Sequence, residues 1–186
     1  DENISIAYGM GLTAEKVVQK YGVSREAQDQ FAYDSHQKAI KANNSGLFEN
    51  EIVPISTVED SYSVESNEYV KNTNLVSKDE GPREDTSPEV LAKLRTVFAQ
   101  DGSVTAGNSS QMSDAAAAVL VASEEAVEKY NLTPKAEFLG FSVAGVPAEI
   151  MGIGPVKAVP KVLDSLELSL DDIGWIELNE AFAAQS

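Results

Sequence analysis

This 186-residue sequence predicts an α/β fold, layered in its second half and preceded by a more open α+β part. Three observations lead there. From about residue 105 onward, helix-like and strand-like segments alternate, the pattern of a sheet covered by helices. Between residues 58 and 86 the chain is polar and poor in large aliphatic side chains, too poor for a buried sheet. At its end, an apolar strand turns into a helix that has barely begun over residues 182–186. One helical turn is unstable alone because nucleation is costly, so the chain is expected to be a segment of a larger fold.

The elements follow in order. Residues 13–20 read as a short helix that Thr13 caps and Gly22 stops. Ser24 caps a longer helix reaching about residue 43, with Ala27, Phe31, Ala32, Ala39 and Ile40 as an apolar stripe and Asn44-Ser45-Gly46 as its stop. Residues 51–57 form a strand candidate, and 58–86 read as loops with room for one exposed hairpin. Ser87-Pro88-Glu89 starts a short helix to residue 94: a serine cap, proline at the first helical position and an acid in the first turn. Residues 102–107 read as a strand and turn. The run 115–122 carries only small and aliphatic side chains and reads as a helix buried on all sides. Ser123 caps a helix to about Tyr130, 136–144 is a strand, and Gly154-Pro155 opens a helix to about Leu163. Residues 169–172 make a short helical turn, and the strand 175–178 leads into a helix at Asn179.

Composition removes whole classes of function. The net charge is −16 and no run of Lys and Arg offers a basic patch, so a nucleic-acid partner is not expected. No apolar run approaches the ~20 residues needed to span a bilayer, and no membrane association is expected. The start, Asp1-Glu2-Asn3, shows neither the basic nor the apolar region of a signal peptide. There are no cysteines, which excludes disulfides and thiolate metal sites. The one histidine, His36, reads as a surface or half-buried helix residue, and no metal site is expected. Within these residues a Cys/His nucleophilic mechanism is impossible.

Three segments carry chemistry. Residues 104–114, with Gly107-Asn108-Ser109-Ser110-Gln111, join a strand to an apolar run through small polar residues. Small side chains let a long ligand lie against the backbone, where hydroxyls and amide N–H groups bond its polar atoms. A plain turn with Asp114 as helix cap explains the same residues. Residues 145–155, with Met151-Gly152-Ile153-Gly154-Pro155, place an apolar methionine between glycines before a helix, which also fits a packed connection. The third, Asn179-Glu180-Ala181-Phe182-Ala183-Ala184-Gln185, puts a polar pair at the carboxyl end of a strand, where ligands collect in α/β sheets. Asn179 there could orient a water or donate to an oxyanion, or simply cap the helix.

Together with Tyr8-Gly9-Met10-Gly11-Leu12-Thr13-Ala14-Glu15, Ser24-Arg25-Glu26 and Gln28-Asp29, these strings make the chain resemble the thiolase family over essentially its whole length, and the 3-ketoacyl-CoA branch in particular. The resemblance implies a partial, thiolase-like layered α/β fold with an inserted α+β loop domain. Residues 1–111 would be the loop domain covering coenzyme A, 112–134 the end of the N-terminal half and 135–186 the start of the C-terminal half. It implies an acyltransferase that cleaves 3-ketoacyl-CoA with coenzyme A to acetyl-CoA and a shortened acyl-CoA, or runs the reverse condensation.

Carried over residue by residue, Met10 packs near the pantetheine and Arg83 lies near the nucleotide. Ser110 bonds a pantetheine amide, Phe98 and Met151 line the tunnel, Asn179 holds an oxyanion-hole water, and Phe182 packs close by. Coenzyme A is a substrate, no cofactor is implied, and a homodimer or homotetramer is expected, in the cytoplasm of a bacterium or an organelle matrix of a eukaryote. Departures are visible. The family's two cysteines and Gly-His-Pro histidine do not occur among these residues, so the segment alone is expected to be inactive. Ala115 stands where the family usually has glycine. Gly9 replaces a histidine of the biosynthetic branch, which favours the degradative one. A non-catalytic thiolase-like protein binding acyl-CoA or lipid is the alternative from another class.

Overall fold

The computed structural model describes residues 8–186. Helix α1, Met10–Tyr21, starts after Gly9, which offers no side-chain cap, and ends at Gly22 in the left-handed region (φ 70°), whose N–H returns to the Val18 carbonyl. The cap expected at Thr13 is not used: the helix already runs from Met10, and the Thr13 hydroxyl donates to the Met10 carbonyl at 2.7 Å. Helix α2, Arg25–Asn44, begins as expected, with the Ser24 hydroxyl accepting the Ala27 N–H at 3.1 Å. It buries Gln28, Asp29 and Ala32.

Strands β1, Ile55–Ser63, and β2, Glu68–Val76, form an antiparallel hairpin in a register running from Ile55 opposite Val76 to Ser63 opposite Glu68. The strand expected from residue 51 starts only after Pro54, which has no N–H to give a ladder. Most of the hairpin is exposed on both faces, and Tyr62 and Tyr69 meet edge to face at 5.4 Å between ring centroids. Helix α3, Pro88–Leu91, is capped by Ser87 and shorter than expected; Leu91 is buried.

The strand expected at 102–107 is reduced to one bridge, Thr96 to Thr105, followed by a 3-10 turn, Ala106–Asn108. Helix α4, Glu124–Tyr130, is capped by Ser123 and closed by Asn131 at φ 50°. A 3-10 turn, Ala148–Ile153, leads into α5, Gly154–Ser165, whose proline in the first turn needs no hydrogen-bond partner there. A last turn, Leu170–Asp172, is held by Asp172 accepting the Ser169 N–H at 2.8 Å.

Four expectations in the second half fail. Residues 115–122 form no helix, residues 136–144 and 175–178 pair with no strand among the described residues, and 182–186 make only a turn. An apolar run of eight residues fits a buried strand as well as a buried helix, and periodicity alone does not separate them. A strand also needs a neighbour to take its N–H and C=O groups, and the only sheet among the described residues is the hairpin. Val119, Leu120, Val121, Phe138, Phe141 and Trp175 consequently stand largely exposed.

The core lies elsewhere. Ala14 of α1, Val104 and Ala184 are buried together, with Val18 and Phe182 packed against them. Helix α1 leans on the Ala148–Ile153 turn, and α2 on α3 and the Ala106–Asn108 turn. The loop 103–110 and the end of the chain are thereby brought side by side.

Candidate functional site

The loop 103–110 is fixed by buried polar groups on two helices. The Glu15 carboxylate accepts the N–H groups of Ser103 and Val104 at 2.9 Å each. Gln28 donates to the Ser103 hydroxyl at 2.9 Å. Asn108 uses both ends of its carboxamide. Its Oδ1 accepts the Thr105 N–H at 2.7 Å, and its Nδ2 donates to Asp29 Oδ1 at 3.0 Å and to the Ser103 carbonyl at 3.2 Å. Asp29 is held in turn by Arg25 at 2.8 Å, whose guanidinium also donates to the carbonyls of Leu91 and Leu94. Buried polar groups cost stability unless paired; most of these pairs serve one short loop, and Gln28 Oε1 alone is left buried without a partner among the described residues.

That loop meets the Asn179 string. Ser110 N–H donates to the Ala181 carbonyl at 2.9 Å, and Ala183 N–H donates to the Asn108 carbonyl at 3.0 Å. Ser109 and Phe182 thus sit opposite each other in an antiparallel bridge. Beside it, the Phe182 and Phe98 rings meet edge to face with centroids 6.0 Å apart. The Phe98 ring lies flat on α1 at Gly11, where a Cβ would stand 2.2 Å from it. Met10, one residue earlier, is half exposed at the start of α1.

Ser110 and Asn179 line one open cavity of about 1140 Å³, together with Ser35 and His36 of α2 and the segment 78–82. The Glu180 carboxylate, beside Asn179, accepts a hydrogen bond from the Ser35 hydroxyl, tying the string to α2. Arg83 lines a second cavity of about 580 Å³ that shares His36, Gly81, Gly107, Ser109, Gln111 and Ser113 with the first. Met151 belongs to neither cavity. It sits half exposed in the turn against α1, and the next residue, Gly152, comes close to Gln185 at the end of the string. Of the seven residues singled out in the sequence, the structure groups Phe98 with Phe182 and Ser110 with Asn179 around one bridge, sets Met10 beside the first pair, and leaves Arg83 and Met151 at the periphery.

His36 is more engaged than its sequence context indicates. Its Nδ1 accepts the Arg83 N–H at 3.2 Å. Partial burial, then the Arg83 charge, hold its pKa below the usual histidine value, with Asp85 opposing. The Arg83 side chain makes a two-pronged pair with Asp85, at 2.9 Å and 3.1 Å, which lowers the Asp85 pKa through the hydrogen bond first and the charge second. Glu15, Asp29 and Asn108 lie in strings that stand out in the sequence, which assigns them no role. Glu15 reaches Ser103, 88 residues on, and Asp29 reaches Asn108, 79 residues on, so no local pattern gives these pairings. Among the described residues no cluster of His, Cys, Asp or Glu could hold a metal, and no helix is long and apolar enough to cross a membrane. The site offers hydroxyl, carboxamide and backbone N–H donors and an aromatic wall, which suits binding and charge stabilisation, and it holds no thiol.

Comparisons with known proteins agree on one origin. A family profile described as "Thiolase, N-terminal domain" matches residues 2–125, and "Thiolase, C-terminal domain" matches 132–186. The 3-ketoacyl-CoA thiolase of Bacillus subtilis (strain 168) is 50% identical over 177 residues, which are 95% of this chain and 45% of that protein. The human peroxisomal 3-ketoacyl-CoA thiolase is 45% identical, over 95% of this chain and 41% of its own length. Among solved structures, the dimeric peroxisomal thiolase of Saccharomyces cerevisiae superposes with a TM-score of 0.86 at 42% identity, covering 97% of this chain and 43% of that one. The human mitochondrial 3-ketoacyl-CoA thiolase gives 0.84 at 43% identity, over 100% and 43%. The chain has the fold of the corresponding part of those enzymes and spans less than half the length of the relatives it matches.

Proposed function

The chain belongs to the thiolase family, and on that premise we propose that the whole protein is a 3-ketoacyl-CoA thiolase. It would cleave 3-ketoacyl-CoA with coenzyme A to acetyl-CoA and a shortened acyl-CoA, in fatty acid β-oxidation or, run backwards, in condensation. The observation that carries this reading is the Ser109–Phe182 bridge, which sets Ser110 and Asn179 on the wall of one cavity. A hydroxyl and a carboxamide in one cleft suit a ligand with an amide-bearing arm and a reacting carbonyl.

In this reading residues 1–111 cover the coenzyme A, with Arg83 towards its nucleotide and Met10, Phe98 and Met151 along its apolar arm. Ser110 bonds a pantetheine amide. Asn179 positions a water that donates to the thioester oxygen as negative charge develops there. Phe182 shields that oxygen from bulk water, which strengthens the donation. The nucleophilic thiol, and the groups that activate it and move the α-proton, come from outside these 186 residues. No cofactor is needed beyond the thioester substrate. The similarity to a dimeric thiolase supports a homodimer or homotetramer; the enzyme would work in the cytoplasm if its source is bacterial, as for the Bacillus subtilis relative, or in an organelle matrix if eukaryotic, as for the human peroxisomal one.

The test is a pair of substitutions in the full-length protein, assayed by loss of 3-ketoacyl-CoA. Asn179→Ala is expected to lower kcat by roughly 10²–10³, the range for loss of an oxyanion-hole donor. Ser110→Ala is expected to raise the KM for coenzyme A about tenfold with a small change in kcat, as for loss of one binding hydrogen bond. Wild-type constants in both variants would refute the site.

A further inference from the structure

We infer that Asn108, gripped by Asp29, is a positioning residue that sets Ser110 and Asn179 relative to each other, so that substrate binding and catalysis depend on one buried contact between α2 and the 103–110 loop. This rests on the reading of Ser110 and Asn179 given above.

The geometry runs in a continuous chain. Arg25 is anchored on the Leu91 carbonyl at the end of the short helix α3 and the Leu94 carbonyl just beyond it, and holds Asp29. Asp29 Oδ1 receives Asn108 Nδ2. The Asn108 carbonyl receives the Ala183 N–H, and two residues further on the Ser110 N–H reaches the Ala181 carbonyl. These two backbone bonds bracket Phe182 and fix the string that begins at Asn179. Gln185 closes the string by donating to the Asn179 carbonyl at 3.2 Å. Asn108 is 2% exposed and Asp29 4%, so neither can replace a lost partner with water cheaply.

The chemistry asks for asparagine in particular. One side chain must accept from Thr105 N–H while donating to a carboxylate, and the carboxamide does both at the required length. Aspartate at 108 would set a second carboxylate against Asp29 at about 3 Å and remove both donated bonds. Alanine would leave the Thr105 N–H and the Asp29 oxygen without this partner. Ser110 touches neither Asp29 nor Asn179 through its side chain in any bond of the network, so a defect at 108 reaches both residues only through the backbone ribbon.

The experiment uses the full-length protein and measures kcat and the KM for coenzyme A together. Asn108→Asp is expected to raise KM and lower kcat, each by about tenfold or more, the scale of a buried charge-assisted bond shared between two effects. The double substitution Asp29→Asn with Asn108→Asp restores a donor facing an acceptor between the two side chains but leaves the Ser103 carbonyl against an oxygen, and is expected to bring KM clearly closer to wild type than Asn108→Asp alone. A purely structural role would reduce the amount of active enzyme and leave KM unchanged, and that result would overturn the inference. So would failure of the reciprocal pair to bring KM closer to wild type. If Asn108→Asp does not fold, Asp29→Asn alone is measured: it keeps the volume, offers one acceptor oxygen to two donors, Arg25 and Asn108, and is expected to move both constants in the same directions. Unchanged constants there would also sink the proposal. Ser110→Ala and Asn179→Ala serve as references. If they behave as expected and Asn108→Asp does not, the coupling alone is wrong. If they too match wild type, the site reading fails and the coupling falls with it.

Discussion

The loop 103–110 and the run 115–122 are a few residues apart and have opposite fates. The first is held by partners within the chain: Glu15 and Gln28 bind its Ser103 end, and Asp29 grips Asn108, which in turn accepts the Thr105 N–H. The second is made of side chains that belong in a core, yet Val119, Leu120 and Val121 are all at least 80% exposed. A hydrogen bond needs one partner, and a few distant residues provide it. An apolar face needs an area, and the segments 136–144 and 175–178 do not supply it to 115–122. Polar pairing can thus be nearly closed, with Gln28 Oε1 as the buried exception among the described residues, in a part of a fold whose hydrophobic layers are not.

The sharpest way to break this contrast is Leu120→Ala. In full-length protein, where sheet layers would bury Leu120, it is expected to cost about 2–5 kcal/mol. In the 186-residue chain, where Leu120 is exposed, the change should stay within about 0.5 kcal/mol. Urea unfolding of both proteins checks it, and equal effects would mean that the apolar run finds the same surroundings in both. Next in size, Glu15→Gln should destabilise both proteins alike, by about 1–3 kcal/mol, because it removes the charge that two buried N–H groups share and sets an amide donor against the Ser103 N–H. An effect confined to the longer protein would show that the clamp is not self-sufficient.

The smallest effect concerns pH. Neutral His36 accepts the Arg83 N–H, and burial and Arg83 lower its pKa below 6.5. The unfolded chain therefore binds the proton more readily than the folded one. The His36 contribution is present in full above pH 6.5 and is lost as the pH falls from there through the lowered folded value. In the 186-residue chain His36 is the single histidine, so one imidazole proton signal should titrate by NMR with a midpoint below 6.5. A midpoint at or above that value would remove His36 from the site.

Much of the fold was legible because it is written locally. Ser24, Ser87 and Ser123 each cap the helix expected of them, and Pro155 opens α5. A cap needs only a side chain and an N–H two or three residues away. The run 115–122 misled because strand and helix bury the same residues, and the choice belongs to neighbours in space. The site divides the same way. Ser110, Phe182 and Asn179 lie in distinctive strings and come together around one bridge; Asp29 and Asn108 lie in strings that stand out as well, but their pairing spans 79 residues and no local pattern gives it. His36 is the half-buried helix residue its context predicts, and its bond to Arg83 depends on where the 81–85 segment returns.

The Ser109–Phe182 bridge has a consequence for the order in which this protein is made. Every residue of the Glu15, Asp29 and Asn108 network has left the ribosome once residue 110 has emerged, and domains settle from the N-terminus during synthesis. The bridge needs a strand that arrives more than seventy residues later. At about 5–20 residues per second, several seconds separate the two events. During that interval the loop 103–110 is already shaped and its open edge waits for residues 181–183, so the nascent chain carries half a cleft before it carries a whole one.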